Sequence, residues 1–131
     1  MYRILLSVVV LLWAVGAGAQ PQLANPASVN CAQQGGTLTI ERRPDGGEFG
    51  VCVFADNHQC EEWALLRGQC PKTGLRVTGF ATMPGWYCAI TGGRYSVDSA
   101  PGAQPEQGTC TLANGTSCAA DAYYAGNCPG R

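Results

Sequence analysis

The chain has 131 residues, a net charge of −1 and eight cysteines. Its eight lysines and arginines are scattered and are balanced by nine carboxylates, so it lacks the basic surface that binding to nucleic acid or to an anionic membrane requires. An even and dense set of cysteines is typical of an oxidising compartment, and we expect disulfides and a periplasmic or secreted location. We expect no cofactor and no bound metal.

The amino end has the three parts of a secretory signal peptide. A single basic residue, Arg3, precedes an apolar run over 4–15, and Ala17 and Ala19 then form a small-residue cleavage site. The run is shorter than the roughly 20 residues that cross a bilayer. We therefore predict a signal peptide over 1–19, a mature chain from Gln20, and no membrane insertion after cleavage.

The cysteines divide into two sets with nearly the same spacing, 21, 8 and 10 residues in the first and 22, 8 and 10 in the second. The sets are Cys31, Cys52, Cys60 and Cys70, then Cys88, Cys110, Cys118 and Cys128. Glycine and alanine positions around them repeat as well. The pattern predicts an internal repeat, with a first copy over 20–71, a linker over 72–87 and a second copy over 88–131.

Each copy reads as a helix, a hairpin and a second helix. In the first copy, Asn25 precedes a helix from Pro26 to about Gln34. Alternating apolar residues then predict strands over 37–43 and 48–54. Glu61 and Glu62 suit the first turn of a second helix that Gly68 closes. The fold class is therefore α+β, with two small disulfide-stapled repeats, each helix–β-hairpin–helix.

All eight cysteines should be bridged, two bonds to a repeat and none between repeats, because each four-cysteine set is complete. If one helix joins Cys60 to Cys70, their Cα atoms are about 15 Å apart, beyond the roughly 7 Å limit for a disulfide. This excludes Cys60–Cys70. Two patterns stay open: Cys31 with Cys70 and Cys52 with Cys60, or Cys31 with Cys60 and Cys52 with Cys70.

The first copy also resembles a known bacterial family, domain of unknown function 333. The resemblance rests on an Asn-Pro-Ala-Ser start, a Gly-Gly pair, a Gly-Glu-Phe-Gly-Val-Cys strand and a Cys-Glu-Glu-Trp-Ala helix, at residues 25–28, 35–36, 47–52 and 60–64. The second copy departs from this pattern, with Asp121 in the place of Trp63 and Pro84-Gly85 at its start. The resemblance implies an exported protein and no catalytic residues. Members are often labelled haemolysins, but the chain beyond Ala19 has no segment that could span lipid as a pore former must.

His58 is the single histidine, and Glu61 and Glu62 follow it closely. Together they are the one conceivable catalytic centre, although a polar residue at a helix entrance explains His58 as well, since its counterpart is Thr116. The cysteine spacings lack the close pairs that hold zinc. Adjacent glutamates on a helix also point to different sides.

One strand differs between the copies. Phe49, Val51 and Val53 form an apolar stripe, where the second copy has the polar residues Gln107, Thr109 and Thr111. Such a stripe is covered by another surface, either from within, by residues 75–87, or by a binding partner. A second difference of this kind is Trp63 in the first copy, where the second copy has Asp121. We take Phe49, Val51, Val53 and Trp63 as candidate binding residues, so that any binding activity belongs mainly to the first copy.

Two functional classes follow from the sequence. The favoured one is an exported binding or structural module, inhibitor-like roles included, with an unknown protein or envelope component as partner. The alternative is a secreted enzyme or a toxin-like protein with His58 and its neighbouring carboxylates as the centre. A cleft where His58 meets a carboxylate would favour the enzyme.

Overall fold

A computed structural model describes residues 24–129. The predicted signal peptide lies outside the described residues. Within them lie four short helices and seven strands, and both copies have the order helix, three strands, helix, to which the first copy adds a short fourth strand. In the first copy they are α1 (Pro26–Gln33), β1 (Thr37–Arg42), β2 (Glu48–Phe54), β3 (His58–Glu61), α2 (Glu62–Leu66) and β4 (Leu75–Arg76). In the second they are α3 (Met83–Ile90), β5 (Arg94–Val97), β6 (Gly108–Thr111), β7 (Ser117–Ala119) and α4 (Ala120–Tyr124).

Both sheets are antiparallel meanders, with the strand order β1-β2-β3-β4 in the first copy and β5-β6-β7 in the second. This confirms the α+β class and the two-repeat arrangement. The strand β3 and its counterpart β7, which add a third strand to each hairpin, were not predicted from the sequence. Asp56 and Asn57 make this strand possible because both adopt positive φ, 58° and 56°, as the two central residues of a tight hairpin turn do. The strand then pairs with β2 from Val51–Glu61 to Phe54–His58.

The helix starts follow from local side-chain chemistry. Asn25 caps α1 by accepting a hydrogen bond from the Ala27 N–H at 2.9 Å, as predicted from the sequence. Thr82 does the same for α3, because its Oγ1 accepts from the Gly85 N–H at 3.2 Å. α3 therefore begins at Met83, inside the stretch that the sequence assigned to the linker, and Pro84 lies in its first turn where no N–H is needed.

All four helices end in the same way, with a glycine in the left-handed conformation. After α2, Gly68 has φ +73°, its N–H donates to the Leu65 carbonyl, and the Gln69 N–H donates to the Ala64 carbonyl at 2.8 Å. These two bonds are those of the Schellman motif, which satisfies free carbonyls and reverses the chain. α2 is consequently only five residues long.

This reversal corrects the excluded disulfide. Cys60 lies on β3 rather than at a helix end, and the chain turns back after α2, so the Cα atoms of Cys60 and Cys70 are 6.3 Å apart and the two residues are bonded. The equivalent bond joins Cys118 to Cys128. The exclusion was wrong because it assumed a helix over the whole interval. The other bonds are Cys31–Cys52 and Cys88–Cys110.

The predicted distribution of bridges is confirmed. Each repeat has two disulfides, none crosses between repeats, and no cysteine of the described chain is free. Both patterns that the sequence analysis left open are nevertheless replaced by this third one. In the first copy the four sulfurs lie between the helices and one face of the sheet, where they form a core with Ala64 and Leu65.

The two repeats pack against each other through the other face of the first sheet. There Phe49 and Val51 join a core that also contains Tyr87, Ile90 and Tyr123 of the second copy. Tyr87 is the centre of this contact. Its ring lies 5.0 Å from Phe49, 5.0 Å from Tyr123 and 5.2 Å from Tyr124, measured between centroids. The repeats therefore share one apolar core in addition to the one beneath the helices of the first copy.

Candidate functional site

The four candidate binding residues do not form one surface. Val51 is 1% exposed and Phe49 is 9% exposed, and both belong to the core shared with the second copy. Trp86, in the stretch expected to cover the stripe, packs against Phe49 with its ring 6.0 Å away. Phe49 and Val51 are therefore core residues in the structure, covered from within the chain. Val53 is half-buried at the edge of the segment that covers the stripe, and Trp63 is exposed.

A cleft of about 450 Å³ lies between the two repeats. Its size is within the usual range for small-molecule sites. The first copy contributes the turn before β2 and the helix α2, and the second copy contributes α3, α4 and the loop after β6. Polar and aromatic residues on its walls include Arg43, Glu61, Trp63, Arg67, Tyr87 and Asn114. Sequence reasoning missed the cleft, because its walls come from segments far apart in the chain.

Trp63 and Arg67 stand together on one side of the cleft. They are four residues apart, across one turn at the end of α2, and the guanidinium carbon of Arg67 lies 5.9 Å from the centre of the Trp63 ring. A cation over an aromatic face is attracted by the ring's negative charge density. The indole remains 36% exposed. A flat apolar ring and a positive charge are thus available side by side.

Arg43 brings a second cation to the cleft from the first hairpin. Its Nε is 3.1 Å from an Asp45 oxygen, and its Nη1 is 3.5 Å from the Tyr87 hydroxyl. The hydrogen bond to Tyr87 is the main cause that raises the pKa of the Arg43 guanidinium, while burial acts in the opposite direction. Arg43 therefore stays charged and is held in place at the junction of the two repeats.

The two glutamates have separate structural roles. Glu61 caps α2, because its carboxylate accepts hydrogen bonds from the Trp63 N–H at 3.1 Å and the Ala64 N–H at 2.9 Å. Burial raises the pKa of this carboxyl, although the two N–H donors oppose the shift. Glu62 is 5% exposed and accepts from the Ser28 hydroxyl at 2.6 Å and from the Asn25 amide at 3.3 Å. It ties the start of α1 to α2.

His58 does not join these carboxylates. Its Nδ1 lies 3.0 Å from the Asp56 carbonyl oxygen and 3.2 Å from that of Ala55, within its own turn. The hollow beside it is lined by residues such as Gln34, Phe54 and Thr73, whereas Glu61 and Glu62 line the cleft between the repeats. The structure thus places the three residues of the conceivable catalytic centre at two different cavities.

Within residues 24–129, no group of three or more histidine, cysteine, aspartate or glutamate side chains is placed to hold a metal ion. None of the helices in that part of the chain has the length and apolar character needed to cross a membrane.

Comparisons with known proteins agree with the repeat. A family model described as "Domain of unknown function (DUF333)" matches residues 22–69 and again 85–127. The uncharacterized protein YdbJ of Escherichia coli strain K12, and that of Escherichia coli O6:H1, are 32% identical over 56 residues. The match covers 43% of this chain and 64% of YdbJ, which is less than two thirds of the relative's length. No solved structure gives a significant match. With both copies matched by one model, the chain belongs to the DUF333 family and carries its domain twice.

Proposed function

We propose that this protein is an exported binding module whose ligand occupies the cleft between the two repeats. The observation that carries the proposal is the exposed Trp63 with the Arg67 guanidinium over its ring at the cleft wall. An exposed tryptophan gains most by burial against a ligand. The second copy folds with Asp121 at the equivalent position, so the indole is dispensable for building the domain and available for recognition.

The cleft suits a polar ligand with a flat apolar face, such as a sugar ring or a peptide side chain. Arg43 and Arg67 supply cationic donors, and Trp63 supplies a stacking surface. The disulfides of both repeats hold the elements that carry these groups. Because the walls are fixed before the ligand arrives, little ordering entropy is lost on binding.

Binding accounts for the cleft better than catalysis does. Glu62 is buried and already accepts two side-chain hydrogen bonds, and Glu61 is used as a helix cap. His58 lies at another cavity. A general base must reach the proton that it abstracts, and neither glutamate has a histidine partner in this arrangement.

Export is part of the proposal. Four disulfides in a small chain are expected where thiols are oxidised. Together with the signal-like residues 1–19, they support a periplasmic or secreted location. Amino-terminal sequencing of the protein from the periplasm or the medium should begin at Gln20. An intact Met1 in a membrane fraction would contradict export by cleavage.

The binding proposal is tested by comparing the wild-type protein with Trp63→Asp, which copies the residue of the second repeat. Both proteins are immobilised and exposed to the same envelope extract and culture medium, and the eluted peptides and saccharides are identified by mass spectrometry. We expect a ligand that the wild type retains and the variant loses, with equal melting temperatures for both proteins. The same set of molecules eluting from both would contradict the role of the cleft.

A further inference from the structure

A second opening lies on the first sheet, where the cover from residues 77–86 is incomplete. This groove has a volume of about 530 Å³ and apolar walls. Its main apolar residues are Val51, Val53, Val77, Phe80, Met83 and Trp86. It does not include Trp63 or Arg67, and it is independent of the cleft between the repeats.

The groove has a fixed floor and an adaptable mouth. Val51 is 1% exposed and forms part of the floor. Trp86 is held by a hydrogen bond from its indole N–H to the Gln59 side-chain oxygen, 2.8 Å long. Met83 is 50% exposed, and its flexible thioether side chain adjusts to ligands of different shape. Preformed walls with one adaptable residue are what a small apolar ligand requires.

One negative charge stands beside the groove. Glu41, at the end of β1, is the single charged residue on its walls. The ion pairs found in residues 24–129 are Arg42–Glu48 and Arg43–Asp45, so Glu41 has no cationic partner in the described chain. A carboxylate next to an apolar groove favours a ligand with a positive charge next to an apolar body.

The second copy has an acidic residue at the position of Glu41, but its carboxylate has a hydrogen-bond partner. There Asp98 replaces Glu41, and its carboxylate accepts a hydrogen bond of 2.6 Å from the Thr109 hydroxyl. Thr109 stands where the first copy has Val51, which has no donor to offer. The acidic residue is thus occupied in one copy and left facing an apolar groove in the other.

From these observations we propose that the groove binds a small cationic amphiphile, an amine with an alkyl or aryl body. The body lies against Val51, Val53 and Trp86, and the ammonium group lies beside Glu41. Burial of the apolar body supplies most of the affinity, since the free energy of apolar burial grows with the area removed from water. The exposed charge pair adds selectivity for amines over acids.

The test uses Trp86 as the reporter. Of the three tryptophans of the chain, Trp13 lies in the predicted signal peptide, so Trp63→Phe leaves Trp86 as the one tryptophan of the mature chain from Gln20. ω-Bromoundecylamine, kept below its critical micelle concentration, should quench Trp86 emission in a saturable way, because bromine quenches only at contact. The matching bromoalcohol should bind about threefold more weakly, and the bromoacid more weakly still. Absence of saturable quenching by the amine would overturn the proposal.

Three variants separate the two parts of the site. Glu41→Gln should remove the preference for the amine, whereas Asp121→Asn, which removes an exposed carboxylate of the second copy, should leave it unchanged. Val53→Thr should weaken all three probes about fivefold through the lost methyl group. If Val53→Thr does not fold, Met83→Gln takes its place, since Met83 is half exposed. Equal selectivity in Glu41→Gln and the wild type, or equal affinity in the groove variant, would overturn the proposal.

Discussion

At the scale of single residues, the two copies use different side chains to fill the space between their first helix and the central strand of their sheet. In the first, Glu62 fills the space between Gly50 and the start of α1 and accepts from Ser28 and Asn25. In the second, the positions of Ser28 and Glu62 are taken by Gly85 and Ala120. The ring of Tyr95 occupies that space instead, against Gly85 and Gly108, and its hydroxyl donates to Glu106 at 2.7 Å. Ser28 and Glu62 therefore act as a pair in the first copy, and the second copy lacks both residues.

Glu62→Ala should destabilise the protein by about 2 kcal/mol, because it removes the charged acceptor of two hydrogen bonds, from the half-buried Ser28 and the exposed Asn25. Ser28→Ala should cost less in that background than in the wild type, since the two residues share one hydrogen bond and their effects are not additive. Urea unfolding of the four proteins of this cycle measures the coupling. Glu48→Gln is the control, because its exposed ion pair with Arg42 should contribute about 0.5 kcal/mol or less. Strictly additive costs at Ser28 and Glu62 would contradict this account.

Glu61 predicts a pH dependence of stability with a defined sign. Burial raises the pKa of its carboxyl in the folded protein above the ordinary value of 4.5, so the folded state binds the proton more tightly than the unfolded state does. The contribution of Glu61 to stability is then largest below pH 4.5 and falls as the pH rises through the raised pKa. The melting temperature of the wild type, relative to that of Glu61→Gln, should decrease over this window. A constant or rising difference would show that the shift has the opposite sign.

At the scale of elements, the shared helix ending determines the disulfides. Because Gly68 reverses the chain directly after α2, Cys70 returns to β3, and the bond to Cys60 closes a loop of 10 residues. The sequence predicted the stop at Gly68 correctly. It did not reveal how short the helix is, because Glu61 and Glu62 suit both a strand end with an N-cap and a full helical turn.

Peptide mapping of the non-reduced protein checks this connectivity. Cleavage before Asp56 separates Cys52 from Cys60, and cleavage after Arg67 separates Cys60 from Cys70. We expect the peptide of Cys52 to remain linked to that of Cys31, and the peptide of Cys60 to that of Cys70. A link from Cys31 to Cys60 or to Cys70 would restore one of the patterns inferred from the sequence.

Replacing Cys60 and Cys70 together by serine should cost about 2–4 kcal/mol, because the unfolded chain regains the freedom that the bond removes. Chemical denaturation of the purified double variant measures the loss. The matching change of Cys118 and Cys128, which closes a loop of the same length, is the comparison. No loss of stability in either variant would show that the bonds add nothing to the fold.

Local patterns specified most of the architecture but not the site. The α1 cap at Asn25, the span of β2 and the helix stop at Gly68 depend on neighbours in the chain, and the sequence predicted each of them. The strand β3, which was not predicted, forms only if Asp56 and Asn57 both adopt positive φ. The sequence permits this conformation but does not require it. The cleft could not be predicted, because its walls meet only when Tyr87 docks on Phe49.

At the scale of the whole molecule, the difference between the two sheets has a structural cause. The second copy packs its helices α3 and α4 onto the sheet of the first, which therefore carries Phe49 and Val51. The corresponding face of the second sheet carries Gln107, Thr109 and Thr111, which are exposed or half-exposed. The difference between the two faces therefore follows from the packing of the second copy on the first.

Tyr87 is the residue through which the two repeats should unfold together. It contacts Phe49 in the first copy and Tyr123 and Tyr124 in the second, and it is 4% exposed. Tyr87→Ala removes all three ring contacts and leaves a cavity, and it should cost about 3 kcal/mol. Because each repeat keeps its own two disulfides, we expect the variant to unfold in two steps where the wild type unfolds in one.

Hydrogen exchange followed by mass spectrometry can assign these steps to the repeats. In the wild type, amides of 31–70 and of 88–128 should lose protection at the same urea concentration, and in Tyr87→Ala at two different ones. Tyr124→Phe is the control, since it removes only a hydroxyl that lies 3.5 Å from the Arg42 carbonyl and keeps the ring. Its two repeats should still lose protection together. Coincident loss in Tyr87→Ala as well would show that the contact around Tyr87 does not couple the repeats.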